Sequence, residues 1–533
     1  MPMSKVLRLG TRRSLLAWAQ SSWVAREIER LNPGVRVELV GIDTRGDKIQ
    51  DVSLQKVEGK DFFVAELDDN LRAGTVDLSV HSMKDLSLDR PREFVCAAIP
   101  KRENPRDVAL FGPGVIERLR RGEKIRVGTS SPRRLENIPA FLELALPRLP
   151  ADGDSPGSKI PELEFVEIRG NVNTRLARVL EDEASPRYLD AVILAFAGMI
   201  RLWADEKARI EAAQLLSRCR WMVLPIAENP TAPAQGALSI ECREADSDTR
   251  AMIAKMHCAE TASHVSRERD VLAEAGGGCH QRFGATSFTT PEAGDLFYLR
   301  GRLPDGRLLG ELRWSPPGPR PTGAKPWDGS ASGQGDATAS KDVFRAAPPT
   351  PQAPALFVAH SRAWPAGSGP ALGPALGPAL GLDRRIWCSG TKSWFKLAAL
   401  GVWVEGCAEN LGFDWLTPTL QEKVLQLPPL GDWQALTHEG ALEGWEGKIG
   451  STVATYRVDE PANSLNSAER LAFENSTHYF WSSSTQFDSL WKLVPRDAHH
   501  ACGPGKTARH LRDAGLNPVV FPAVEEWKKW LGK

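Results

Sequence analysis

What this chain lacks narrows its class first. It has no net charge: 67 Lys plus Arg stand against 67 Asp plus Glu over 533 residues. A zero balance gives no general pull towards nucleic acid or a membrane surface, so any cationic site must be local. No apolar run reaches the ~18 residues a spanning helix needs. Arg12-Arg13 with Ser14-Leu15-Leu16 has the look of a twin-arginine export signal. Gln20, Ser21 and Ser22, then Arg26 and Glu27, interrupt the apolar stretch too soon for one. The chain therefore reads as cytoplasmic, with neither membrane nor nucleic acid as partner. Eight Cys have no paired spacing and no matched His, which argues against a disulfide framework and against a metal site. Gly505-Lys506-Thr507 resembles the end of a P-loop, but His500 stands where that pattern needs Gly, which excludes ATP there.

What is present is a globular composition, 42% hydrophobic and 25% charged, on a length that suits three or four domains. Residues 1–313 alternate strand-like and helical runs. Val6–Leu9, Val35–Ile42, Asp77–His81, Lys124–Gly128, Leu163–Ile168 and Tyr188–Ala195 read as strands. Ser14–Leu31 reads as a helix with Leu15, Trp18, Val24, Ile28 and Leu31 on its buried face. The alternation predicts an α/β fold with largely parallel sheets, whose ligands sit beyond the carboxyl ends of strands. Residues 314–354, rich in Pro, Gly and Ser, read as a disordered linker. Gly369–Gly381 repeats Pro-Ala-Leu-Gly and reads as a surface tether. Residues 355–533 read as a second α/β module, with strands at Ala355–Ala359, Arg385–Trp387, Thr452–Arg457, His478–Trp481 and Pro518–Phe521. Twelve of the 17 Trp lie beyond residue 320, most simply as packing.

Chemistry concentrates at the strand ends of the first part. Arg12, Arg13, Arg133, Arg134, Arg169 and Arg175 all fall at strand-to-helix junctions, where a guanidinium suits bidentate capture of a carboxylate or phosphate. Ser14, Thr129, Ser130 and Ser131 add donors for the same anions. One such arginine is usually a surface ion pair; six at junctions point to an anionic ligand. In His81-Ser82-Met83-Lys84-Asp85 the carboxylate is a helix cap or, if buried among arginines, a group that stabilises cations and shuttles protons. In Gly276-Gly277-Gly278-Cys279-His280 the cysteine is an inert thiol, a nucleophile or a covalent anchor.

Taken in order, Thr11–Ser14, Thr44-Arg45-Gly46-Asp47, His81–Asp85, Gly128–Arg134, Arg169–Leu176 and Gly277–Cys279 resemble porphobilinogen deaminase across residues 4–313. The resemblance implies two lobes like those of periplasmic solute-binding proteins, over 1–100 with 225–243 and over 105–220. A small α+β domain over 246–313 would carry the cysteine. It implies a dipyrromethane cofactor on a thioether to Cys279, with Asp85 as the catalytic carboxylate facing pyrrole nitrogens. Lys84, Asp85, Thr129, Ser130, Ser131, Arg133, Arg134, Arg169 and Gly170 would hold the cofactor. Arg12, Ser14, Arg175 and Arg201 would bind the incoming pyrrole, and Lys60 and Phe63 would lie on a loop covering it. The sequence departs from the family at Asp61, His280 and Arg282 and in a polar insert over 152–159. The expected product is hydroxymethylbilane, made from four porphobilinogen units with release of ammonia, by a monomer. A carboxylate-binding protein on the same two lobes is the alternative, but it would need neither Cys279 nor Asp85. Residues 478–521, with Tyr479–Ser484 and Ala501–Ala508, resemble uroporphyrinogen-III synthase, two α/β lobes that close the linear tetrapyrrole. Tyr456, Ser482, Ser483 and Ser484 are the candidates there; a non-catalytic second module is the other reading.

Overall fold

The computed structural model describes residues 5–44, 64–149, 159–278, 281–316, 318–329, 341–344, 351–365, 384–459 and 467–532. The chain divides into two compact units. The first comprises Met1–Glu143, Ile160–Phe288 and Phe297–Arg313, the second Leu144–Lys159, Thr289–Leu296 and Trp314–Lys533.

In the first unit the strands are β1 (Lys5–Arg12), β2 (Val35–Ile42), β3 (Leu78–Ser82), β4 (Phe94–Ala98), β5 (Asp107–Phe111), β6 (Ile125–Gly128), β7 (Leu163–Val166), β8 (Ala191–Ala195), β9 (Arg220–Val223) and β10 (Leu238–Arg243). They form two five-stranded sheets, ordered β2-β1-β3-β10-β4 and β7-β6-β8-β5-β9. The expectation of largely parallel sheets is corrected here. β1 runs parallel to β2 and β3, but β10 is antiparallel to both its neighbours. In the second sheet β6 is parallel to β7 and β8, and β5 is antiparallel to β8 and β9. The cause lies in the connections. The chain crosses from the first sheet to the second after β4 and returns before β10, and each arriving strand enters reversed. β11 (Arg282–Thr290), β12 (Gly294–Arg302) and β13 (Leu308–Trp314) make a third sheet.

Helix α1 (Leu15–Leu31) lies on the first sheet because Val24, Ala25 and Ile28 recur on one face. They pack on Leu7, Leu9, Leu78, Val80 and Ile240. Trp18, expected on that face, is instead 38% exposed. The buried positions around it are the smaller Ala19, Gln20 and Ser21, and Gln20 bonds Ser82 at 3.2 Å.

The second unit holds β14 (Pro326–Trp327), β15 (Lys341–Phe344), β16 (Ala355–Val358), β17 (Arg385–Cys388), β18 (Gly406–Cys407), β19 (Trp433–His438), β20 (Ser451–Asp459), β21 (His478–Trp481), β22 (His499–Cys502) and β23 (Val519–Val520). They form a six-stranded sheet, β15-β20-β19-β16-β17-β18, and a four-stranded one, β14-β21-β22-β23. Every pairing is parallel except β15 with β20. β14 and β15 come from the stretch read as a disordered linker, so that reading fails at both places. Composition concealed the reason: Trp327 packs against Phe473, Tyr479 and Trp481 with ring centroids 4.8–6.0 Å apart, enough burial to order a two-residue strand. The repeat at 369–381 lies outside the described residues.

Among the described residues no helix is long and apolar enough to cross a membrane.

Candidate active site

The site grows from the carboxyl ends of β1, β3, β6 and β7. β3 ends in a short helical turn, Met83–Asp85, that leaves Asp85 exposed rather than buried among arginines. Lys84 beside it donates to the Gln235 side-chain oxygen at 3.3 Å. Burial pushes the Lys84 ammonium below its usual range; Asp85 and Asp107 oppose the shift, and Arg134 and Arg133 add to it.

β6 ends at Gly128, where an added Cβ would come within 2.6 Å of Leu189. The hydroxyls that follow are used internally. The Ser130 hydroxyl donates to the Ile168 carbonyl and accepts from the Ile168 N–H, tying the ends of β6 and β7 together. Buried Thr129 accepts from the Ser131 N–H at 3.3 Å. Helix α2 (Pro132–Ala145) starts directly afterwards and carries Arg133 and Arg134 inward. Both are buried, and both reach Asp107 at the head of β5, each at 2.7 Å.

At the end of β7, Arg169 pairs with Glu167 at 2.8 Å. Gly170 has φ +99° and lets the chain turn into helix α3 (Val172–Ala177), which Asn171 caps. From that helix Arg175 donates to the Gly170 carbonyl at 2.8 Å. Burial, with the charges of Arg134 and Arg169, brings its guanidinium down to about 10, while Asp85 acts the other way. It stays cationic at neutral pH. Asp85, Arg134, Arg169 and Arg175 therefore share one electrostatic neighbourhood. Arg12 lies near His81, whose charge it disfavours. Ser14, expected to bind substrate, caps α1, accepting from the Ala17 N–H. Arg201 donates to the Gly236 carbonyl at 2.6 Å in the returning crossover, and burial brings it down to about 10.

Cys279, with Lys60, Phe63, Asp61 and His280, lies outside the described residues. The approach to Cys279 is described. Gly276, Gly277 and Gly278 all have positive φ, +86°, +72° and +92°, a run that other residues adopt only under strain. A Cβ on Gly277 would meet Leu88 at 3.3 Å, three residues past Asp85. The Gln281 amide closes the loop on the Gly277 carbonyl at 2.6 Å. Helix α4 (Ala259–Glu274) leads into it, and its Arg269 donates to the carbonyls of Met83, Leu86 and Ser87 at 2.9–3.2 Å. The helix that leads towards the glycine run thus grips the turn that carries Asp85.

Sequence reasoning missed Arg269, Asp107, Asn229 and Gln235. One signal was available for Asp107: a carboxylate heading an otherwise apolar strand, Val108–Phe111, needs buried cations. Other thiols look inert. Burial pushes Cys242 up to about 11 and Cys219 and Cys502 up to about 12, far from a reactive thiolate. Asp68, His81 and Glu241 have the composition of a metal site, but the Arg90 guanidinium already bridges both carboxylates at 2.7 and 2.6 Å.

The residues fit a ligand bearing several carboxylates. Arg133 and Arg134 bind a single buried carboxylate, to which Gln235 ties Lys84, and among the described residues the buried Arg133 Nε–H has no partner, a donor open to an acceptor.

Comparison with known proteins agrees with this chemistry. The family model described as porphobilinogen deaminase, dipyromethane cofactor binding domain, matches residues 7–251. A porphobilinogen deaminase of Syntrophotalea carbinolica is 36% identical over 313 residues, 59% of this chain and 88% of that one. One of Syntrophobacter fumaroxidans is 39% identical over 284 residues, 52% of this chain and 79% of that one. Among solved structures, the BenM effector binding domain with its effector benzoate aligns at 12% identity and a TM-score of 0.25, covering 52% of this chain and 96% of that one; that likeness is too weak to bear on function. The cationic strand ends, the glycine approach to Cys279 and these relatives agree: the chain belongs to the porphobilinogen deaminase family, and its N-terminal region has that family's function with a dipyrromethane cofactor.

Proposed function

We propose that the first unit joins four porphobilinogen units to a dipyrromethane tethered through Cys279, releasing ammonia at each addition, and that water then cleaves the four-ring product from the tether as hydroxymethylbilane. The observation that carries this reading is the clamp of Arg269 on the Asp85 turn. It ties the helix that precedes the glycine run before Cys279 to the turn that holds Asp85. When bound, the dipyrromethane supplies the free pyrrole carbon from which the chain grows. Lys84, Arg133, Arg134 and Arg169 hold carboxylates of the tethered chain, and Arg12 and Arg175 hold those of the incoming pyrrole. Asp85 accepts from pyrrole N–H groups. Its negative charge offsets the positive charge that develops as the carbon–nitrogen bond breaks and ammonia leaves with the electron pair. The charge is lost when the joined pyrrole carbon releases its proton. Intact mass spectrometry of the purified chain tests the anchor: a dipyrromethane-sized adduct is expected, and is absent from Cys279→Ser. An unmodified wild-type mass, or normal polymerisation by the mutant, overturns the proposal.

The second unit, on this reading, closes hydroxymethylbilane to uroporphyrinogen III. In the six-stranded sheet the chain order reverses between β16 and β19, the usual place for a ligand in a parallel sheet. There the rings of His438 and Tyr456 lie 5.7 Å apart, and Arg362 sits 6.0 Å from the Tyr456 ring. The full chain carrying Cys279→Ser, fed hydroxymethylbilane, should yield the type III isomer. The type I isomer alone would show the second unit to be non-catalytic. Because β14 and β15 complete its sheets, a fragment starting at residue 355 would not be a fair test.

A further inference from the structure

We infer that Asp107 is a positioning residue of the first unit: an internal carboxylate that sets Arg133 and Arg134 for carboxylate binding and ties them to the chain crossover and to Lys84. The inference rests on the reading that these cations hold the tethered cofactor.

Asp107 is fully buried. One of its oxygens accepts from Arg133 at 2.7 Å, from Arg134 Nε at 3.2 Å and from the Asn229 amide at 2.9 Å. The other accepts from Arg134 at 2.7 Å and from the Gln235 amide at 2.9 Å. Burial alone would raise its pKa. The two guanidiniums and these hydrogen bonds outweigh that and hold the carboxyl well below its usual range, so it is ionised at any working pH.

Charge separates this cluster from an ordinary buried ion pair. Among the described residues, buried Arg133 and Arg134 and half-buried Lys84 are three cations around the one buried carboxylate of Asp107. A buried cluster with surplus positive charge is costly unless further anions complete it. The donors tell the same story. A guanidinium has five N–H groups. Asp107, Asn229 and the Pro230 and Ile193 carbonyls fix both guanidinium planes but do not exhaust them, and the buried Arg133 Nε–H has no partner among the described residues. Asp107 thus orients the arginines and leaves donors for a ligand.

The same carboxylate reaches across the unit. Gln235, in the returning crossover, donates to Asp107 and to the Pro105 carbonyl at 2.7 Å, and its oxygen accepts from Lys84. The head of β5, helix α2, the crossover and the turn that carries Lys84 therefore meet through the Asp107–Gln235 pair.

The test is Asp107→Asn in the full chain, with Asp107→Glu beside it. Asparagine keeps the size and loses the charge. The cofactor-loaded fraction, read by intact mass, should fall at least fivefold. The loaded remainder should show KM for porphobilinogen raised about tenfold, with kcat changed less than threefold. Glutamate should restore loading at least in part. A merely structural role would lower the melting temperature and yield but leave loading, KM and kcat of the folded protein at wild type, and that result overturns the inference. Should Asp107→Asn not fold, Gln235→Leu removes the crossover's bonds to Asp107, Pro105 and Lys84 and leaves the Asp107 carboxylate with both arginines. It should raise KM about threefold, and an unchanged KM counts against the inference. Arg134→Leu keeps the two failures apart. If it stays fully loaded, the cofactor role of the arginines falls and the inference with it. If it is apo while Asp107→Asn is loaded with wild-type kinetics, only the inference falls.

Discussion

The two units fill their interiors differently. Among the described residues of the first, Asp107, Arg133, Arg134, Asp190, Glu241 and Glu268 are all buried to 7% exposure or less. In the second, the largest fully buried side chains are Trp387, Trp394, Trp403, Trp433, Trp481 and Trp527, and the buried carboxylates are Glu405 and Glu409. Buried charge is a poor source of stability, since a well-packed apolar replacement often does as well. Buried indole is a good one. Asp190, Glu241 and Glu268 are matched by Arg118, Arg90 and Arg102; the Asp107, Arg133 and Arg134 cluster of the first unit holds surplus positive charge that packing does not explain and ligand binding does. The second has an interior that packing explains.

The sharpest break of that comparison is Asp85→Asn. Asp85 is exposed at the end of a short turn and no fold-holding bond runs through its side chain, so stability should change little. Ammonia release from porphobilinogen should fall about 10²–10⁴-fold, the range of a positioned acid–base or charge-stabilising group. Wild-type release would remove Asp85 from the chemistry and leave the arginines as a binding site alone.

Trp481→Ala tests the other side. Trp481 is fully buried, 5.3 Å from Phe487 and 5.4 Å from Trp327 between ring centroids, and its indole donates to His500 at 3.0 Å. Truncation should cost about 3–5 kcal/mol of stability, read as a large fall in the denaturant midpoint of the second unit. Ammonia release at low temperature should be unaffected. A fall in ammonia release matching the loss of stability would mean the first unit depends on the second.

Much of this was legible in the sequence. Val35–Ile42 and His478–Trp481 are strands over the residues their apolar patterns mark. The cationic strand ends do carry Lys84, Arg133, Arg134, Arg169 and Arg175 into one region. What was not legible depends on partners distant in the chain. The reversed directions of β5 and β10 follow from crossovers, not from local pattern. Asp107 meets Arg133, Asn229 and Gln235 across 26, 122 and 128 positions, and no spacing rule reaches so far. Arg269 looks like any helical arginine until its acceptors, three backbone carbonyls 182–186 positions away, are seen. Ser130 and Ser14 show the opposite limit: a hydroxyl at a strand end serves a cap or a ligand equally well, and here both bond the backbone.

Ser483 poses that same choice in the second unit, where the expected effect is smallest. Its hydroxyl accepts from the Gln486 N–H at 3.1 Å and caps the helix Ser484–Leu490. Next to it, Ser482 bonds the Gln486 side-chain oxygen at 3.0 Å. As a cap alone, Ser483→Ala should cost about 1 kcal/mol and leave the isomer ratio from hydroxymethylbilane as it is in wild type. As a cleft residue, it should shift that ratio towards type I with the helix intact. The geometry favours the cap: the Ser483 oxygen already has a backbone donor, and one lost cap bond does not carry a ring closure. An unchanged isomer ratio would leave His438, Tyr456 and Arg362, where the strand order reverses, as the place to look for the second activity.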